Sequence, residues 1–173
     1  MRSAVEAIEV LMNKTLILIF LLAVVGFVGL SVWKTKAQVG TKETLPVVKT
    51  DAQWKEELPP EAYRVLRHHA TEAPNSSPLN AIKSPGEFVC AGCGQLLFLT
   101  EHKFESGTGW PSFFQPANDG AIGETRDFRL VIPRTEVHCS SCGGHLGHVF
   151  NDGPKPTGKR YCINGVSLEF KAK

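Results

Sequence analysis

Four of the five cysteines in this chain stand in two matched turns, and that pairing restricts the fold more than any other feature. Cys90-Ala-Gly-Cys93-Gly and Cys139-Ser-Ser-Cys142-Gly each set two thiols three positions apart, with glycine directly behind the second. Such a turn points both sulfurs into one corner, and two facing corners form a tetrahedral S4 site of the kind zinc prefers. Cys93 and Cys139 are far apart in sequence, so one metal here would tie distant hairpins together and clamp a loop-rich domain. Two disulfides, or reduced thiols packed as small hydrophobes, are the competing accounts. A disulfide inside Cys-x-x-Cys marks a redox-active dithiol, and two of those in one small domain would be unusual. Cys90, Cys93, Cys139 and Cys142 are therefore the candidate zinc ligands, which leaves Cys162 to be explained as chemistry.

The chain falls into three parts: a hydrophobic segment over residues 1–33, a linker over 34–50 and a folded domain over 51–173. Thr15 to Val32 carries no charge and is bounded by Lys14 and by Trp33-Lys34, the length of one membrane-crossing helix. A cleavable signal needs a small-x-small site after a shorter apolar run, and Ala37 behind two lysines is a poor one. An uncleaved anchor through residues 15–33 is the favoured reading. Arg2 and Lys14 precede the run while Lys34, Lys36 and Lys42 come after it, which taken literally puts the domain in the cytoplasm. A first apolar segment nevertheless usually exports the chain behind it, and the domain is expected outside the cytoplasm. From Thr44 onward 14 basic residues balance 14 acidic ones, so the basic face of a nucleic-acid binder is missing.

Asp51-Ala-Gln-Trp54-Lys-Glu-Glu-Leu58 reads as a helix with Asp51 as its N-cap and Trp54 and Leu58 one turn apart, ended by Pro59-Pro60. Glu61 to Arg67 reads as a second short helix, and Thr71 to Asn80, with its prolines, as a loop. Short β-type runs come next at Gly86–Val89, Leu96–Phe98, Arg129–Ile132, Arg134–His138, His148–Phe150, Arg160–Ile163 and Val166–Phe170. Two small helices ahead of many short strands imply a mainly antiparallel β domain.

Cys162 falls in one of those strands, where Arg160, Cys162 and Asn164 alternate onto one face. A nearby guanidinium favours the thiolate, which is the nucleophilic form. His145-Leu-Gly-His148 lies close to the second cysteine pair. Four thiols already fill a tetrahedral site, so these histidines suit proton transfer near neutral pH better than ligation. His68, His69, His102 and His138 lack such a setting and read as structural. In Gly107-Thr-Gly-Trp110-Pro-Ser-Phe113-Phe114 the glycines and proline fix an aromatic plate on a turn, with Phe113 and Phe114 better suited to the core.

Taken together, Cys90-x-x-Cys93, Gly107-Thr-Gly-Trp110-Pro-Ser-Phe113, Arg134-Thr-Glu-Val137, Cys139-x-x-Cys142-Gly-Gly-His145-Leu-Gly-His148-Val-Phe150, Asp152-Gly-Pro154 and Arg160-Tyr-Cys162-Ile-Asn164 resemble a B-type methionine sulfoxide reductase. The resemblance runs from about Trp54 to Leu168. It implies two small antiparallel sheets with a structural zinc on the four paired cysteines. It implies Cys162 as the nucleophile on the sulfoxide sulfur, with His145, His148 and Asn164 orienting substrate and supplying a proton. Trp110 and Phe150 would hold the substrate, and Arg160 would support the thiolate. The substrates implied are oxidised proteins bearing methionine R-sulfoxide, and the product is methionine plus a sulfenic acid on Cys162. Many members of that family carry a resolving cysteine where this chain has Thr108, so an external thiol, thioredoxin-like or small, is expected to recycle the enzyme.

Two other classes remain open at this stage. A zinc-stabilised binding module would leave Cys162 inert. A cysteine hydrolase would pair Cys162 with histidine and Asn164, but such a nucleophile usually opens a helix rather than occupying a strand.

Overall fold

The computed structural model describes residues 45–128 and 133–173. The segment over 1–33, the linker as far as residue 44 and the strand expected at Arg129–Ile132 lie outside the described residues. No described helix is long and apolar enough to cross a membrane.

Two helices open the described chain. Helix α1, Asp51–Glu57, takes Thr50 rather than Asp51 as its N-cap, so Asp51 is its first helical residue. Thr50 exchanges side-chain and backbone bonds with Gln53 in a reciprocal capping box. Helix α2, Pro60–His68, begins with proline in its first turn, where no intrahelical N–H is needed. It ends at His69 in the left-handed conformation (φ 53°) and buries Ala62, Val65 and Leu66 on one face. Trp54 of α1 and Leu66 of α2 join the main core. The expected loop after Thr71 is a loop, tightened into a 3-10 turn at Pro78–Ala81.

The nine described strands form two sheets, both antiparallel. In the three-stranded sheet β1, Gly86–Cys90, lies between β2, Leu96–Leu99, and β9, Leu168–Ala172. The six-stranded sheet runs in the order β3 (Lys103–Phe104), β4 (Ser112–Phe113), β8 (Arg160–Ile163), β7 (His145–Phe150), β6 (Arg134–Cys139), β5 (Ile122–Asp127). The sheets meet through aromatic rings. Phe98 of β2 stacks on Phe113 of β4 with centroids 4.4 Å apart, and Phe88 of β1 meets the same ring edge-on at 5.0 Å. All three are fully buried, and emptying such a position to alanine typically costs about 3–5 kcal/mol.

Strand β7 is longer than its sequence signal, starting at His145 rather than His148. The last strand starts at Leu168, because Gly165–Ser167 closes a 3-10 turn where strand was expected from Val166. Strand β5 carries no run of apolar residues. It is an edge strand exposed at Glu124, Thr125 and Arg126, so the burial that writes alternation into a sequence is missing there.

Candidate active site

The two cysteine turns match in their bonding. Cys90 ends β1 and Cys139 ends β6; Gly94 N–H donates to Cys90 O at 2.8 Å and Gly143 N–H to Cys139 O at 2.9 Å. Both glycines hold positive φ, 76° and 69°, a conformation that side chains resist and that explains glycine behind each second thiol. The four sulfurs converge to within 4.8 Å of one another, Cys90 to Cys142 at 3.8 Å and Cys93 to Cys139 at 3.6 Å. One metal ion is within reach of all four. One turn belongs to each sheet, so this cluster joins the sheets at the end covered by Trp54 and Leu66.

Cys162 sits mid-strand in β8, directly opposite Ser112 of β4 on one side and His148 of β7 on the other. Its neighbours Tyr161 and Ile163 turn into the core, which aims Cys162 at the other face. There it lines a cavity of about 130 Å3 together with Trp110, His148, Phe150 and Asn164, five of the seven active-site residues expected from sequence. Thr71, Arg134 and Gly147 complete the wall. A methyl at Gly147 would lie 2.0 Å from the carbonyl oxygen of Cys162, so glycine is what lets β7 close against the reactive strand.

Burial pushes the Cys162 thiol up, and Thr108, Arg160 and Ser112 pull it back only in part. The thiol is therefore the resting form, where the guanidinium alone had implied thiolate. Thr108 Oγ1 lies 3.8 Å from Sγ. Arg160 is engaged elsewhere: Nε and Nη2 donate to the two oxygens of Asp152, both at 2.9 Å, and its guanidinium covers the Phe150 ring at 4.4 Å. It does not line the cavity, but its charge and a side-chain hydrogen bond both favour the Cys162 thiolate.

His148 donates from Nε2 to Asp127 Oδ2 at 2.8 Å, and Arg134 Nη2 donates to that same oxygen at 3.2 Å. His145 stands behind the cavity rather than in it. It is 2 % exposed, and its Nδ1 donates to Glu136 Oε1 at 2.6 Å; His69 Nδ1 reaches the same oxygen at 2.8 Å. Burial holds His145 down despite Glu136, so it is neutral at neutral pH. Burial also opposes the charge on Glu136, but its interactions with His145 and His69 outweigh it and hold the carboxyl below its usual range.

Asn164 lies just beyond β8 rather than within it, and its side chain is committed at both ends. Nδ2 donates to Leu146 O at 2.9 Å, and Oδ1 accepts from Glu72 N–H at 3.0 Å. Trp110 is fixed by its indole N–H to Glu72 O at 3.3 Å. Glu72, Asp127, Glu136 and His69 are not legible as site residues in the sequence. Each lies far along the chain from a partner it bonds, and only the motif around Arg134 and Glu136 carries a signal.

A SelR domain model matches residues 58–172. The chain belongs to the SelR family. Within it, the chain is 54% identical over 125 residues to the peptide methionine sulfoxide reductase MsrB of Leptospira interrogans, covering 72% of this chain and 95% of that protein. It is 52% identical over 125 residues to the MsrB of Agrobacterium fabrum, covering 72% and 93%. The MsrB of Methanosarcina barkeri is 53% identical over 127 residues, covering 73% and 89%. The SelR match spans both cysteine turns, Trp110, the β6–β7 histidines and Cys162, so it covers the whole site and stops short of the N-terminal segment.

Proposed function

We propose that this chain is a peptide-methionine (R)-S-oxide reductase with Cys162 as its nucleophile. The observation that carries the reading is the meeting of Cys162, His148, Trp110 and Asn164 around one small cavity in a SelR domain. Trp110 and Phe150 offer apolar surface to the methyl group. The Cys162 sulfur attacks the sulfoxide sulfur while the sulfoxide oxygen takes up a proton. Cys162 gives up its thiol proton as it attacks. The transient S–S bond and the substrate S–O bond then break as the oxygen moves to the Cys162 sulfur, methionine leaves, and Cys162 is left as sulfenic acid. The substrate gains the two electrons that Cys162 loses. His148 stands beside Cys162 across the strands with its ring held by Asp127, so it is the group suited to deliver the proton. A cysteine hydrolase would need donors aimed at a carbonyl oxyanion, and one of the two N–H groups of the Asn164 amide is already given to Leu146 O.

Zinc is the metal best matched to the four thiols. Thiolates about 2.3 Å from a central zinc stand about 3.8 Å apart in a tetrahedron, which matches the sulfur separations above. Bound there it supplies stability rather than chemistry, since four protein ligands leave no open position. All five cysteines are accounted for by this cluster and Cys162, with Thr108 beside the reactive sulfur. An external thiol then attacks the sulfenic acid, releasing water and forming a mixed disulfide, and a second thiol restores Cys162. Residues 15–33 are proposed as a membrane anchor that holds the domain outside the cytoplasm, a reading supported by the uncharged run alone.

The test is turnover of separated R and S epimers of a peptide-bound methionine sulfoxide. The R epimer is reduced, the S epimer is not, and Cys162→Ser abolishes turnover. Equal rates on both epimers would overturn the reading.

A further inference from the structure

Glu72 is 5 % exposed, carries a carboxylate, and lies in the loop after α2 that no sequence motif marks. All four of its polar functions are committed, two to the cavity residues Trp110 and Asn164 and two to the backbone directly after Asn164. Oε1 accepts from Gly165 N–H at 2.6 Å and Oε2 from Val166 N–H at 3.0 Å, the two residues directly after Asn164. Its own N–H donates to Asn164 Oδ1, and its carbonyl accepts the indole N–H of Trp110. The same loop is tied down again beyond it, where Asn75 N–H donates to Gly109 O at 2.7 Å.

Trp110 and Asn164 come from different segments, and neither bonds the other. Among the described residues, Glu72 is the one that bonds both. The preceding residue, Thr71, is itself part of the cavity wall, so any shift of Glu72 moves the wall as well. A buried carboxylate is costly unless its oxygens are satisfied, and here two backbone donors meet it with nothing to spare. We propose that Glu72 is a positioning residue for sulfoxide reduction: it sets the distance between the aromatic plate of Trp110 and the amide of Asn164, and so the width of the substrate cavity. The inference rests on the reading of that cavity as the sulfoxide site.

Glu72→Gln tests it with almost no change in volume. An amide accepts at one oxygen only, and its NH2 would face a backbone N–H, donor against donor. The expected result is a KM for peptide-bound R-sulfoxide raised at least tenfold, with kcat reduced much less. The rate at which iodoacetamide alkylates Cys162 stays within twofold of wild type, because Thr108, Ser112 and Arg160 are untouched. Combining Glu72→Gln with Trp110→Phe, which lacks the indole N–H, gives a loss in kcat/KM smaller than the product of the two single losses. Unchanged KM in Glu72→Gln, or a double loss equal to that product, overturns the proposal. Should Glu72→Gln fail to fold, Glu72→Asp keeps the charge but is too short to meet both N–H groups. An intermediate KM then supports positioning, and a wild-type KM overturns it. Wild-type protein in the same assay separates the two readings. Absence of wild-type turnover defeats the sulfoxide site itself, whereas normal wild-type turnover with an unaffected variant defeats only the role of Glu72.

Discussion

Cys162, the proposed nucleophile, is kept mostly protonated until it is needed. Its environment has opposing parts: burial raises the thiol, while the Thr108 and Ser112 hydroxyls and the Arg160 charge lower it, and burial prevails. Below its folded-state pKa the thiol form dominates, and the thiolate fraction grows only as pH rises through that value. Alkylation of Cys162 in the substrate-free protein should therefore accelerate with pH to a midpoint above the ordinary thiol range. Thr108→Val should move that midpoint higher still by removing one stabilising hydroxyl. Iodoacetamide rates followed by mass spectrometry read both, and a midpoint below the ordinary range would contradict this account. Residues of this kind divide sharply in how far the sequence reveals them. Cys162, His148 and Trp110 stand out because their types are rare and their local spacing is unusual. Glu72 does not, because its partners lie about forty and ninety positions away and a loop glutamate looks like any surface charge. His69 looks merely structural in the sequence for the same reason, although it shares Glu136 with His145.

The matched turns at the ends of β1 and β6 show the opposite case, in which a local pattern dictates local structure completely. Glycine behind the second thiol is forced by positive φ, and the spacing brings both sulfurs of each turn to one point. The edge strand β5 and the two-residue strands β3 and β4 leave no such trace, since their pairing is decided by neighbours distant in sequence. If zinc joins the two turns, its binding free energy is part of the folding free energy. Purified protein should contain one zinc per chain by elemental analysis. Cys93→Ser, or a strong chelator, should lower the melting temperature sharply and abolish activity, with the cysteines of the broken cluster becoming reactive to thiol reagents. Full activity at well below one zinc per chain would exclude the metal from this role.

Across the whole molecule, the four-cysteine end and the Cys162 end are linked by β7, which starts three residues after Cys142 and passes His148 beside Cys162. The aromatic contacts of Phe88, Phe98 and Phe113 fix the two sheets between them. As a proposed membrane anchor, the N-terminal run would add a location to this domain. Full-length protein is expected to sediment with membranes and resist carbonate extraction, while a chain starting at Thr44 is expected to be soluble and equally active. A mature N-terminus at or just after Ala37 would replace the anchor with a cleaved signal. The central claim is that oxygen passes from substrate to Cys162, and a single turnover without reductant tests it most directly. One methionine should form per chain, and Cys162 should gain one oxygen that a dimedone-type reagent traps, with no internal disulfide. Methionine formed while Cys162 stays unmodified, or a disulfide between Cys162 and one of the four clustered cysteines, would contradict it.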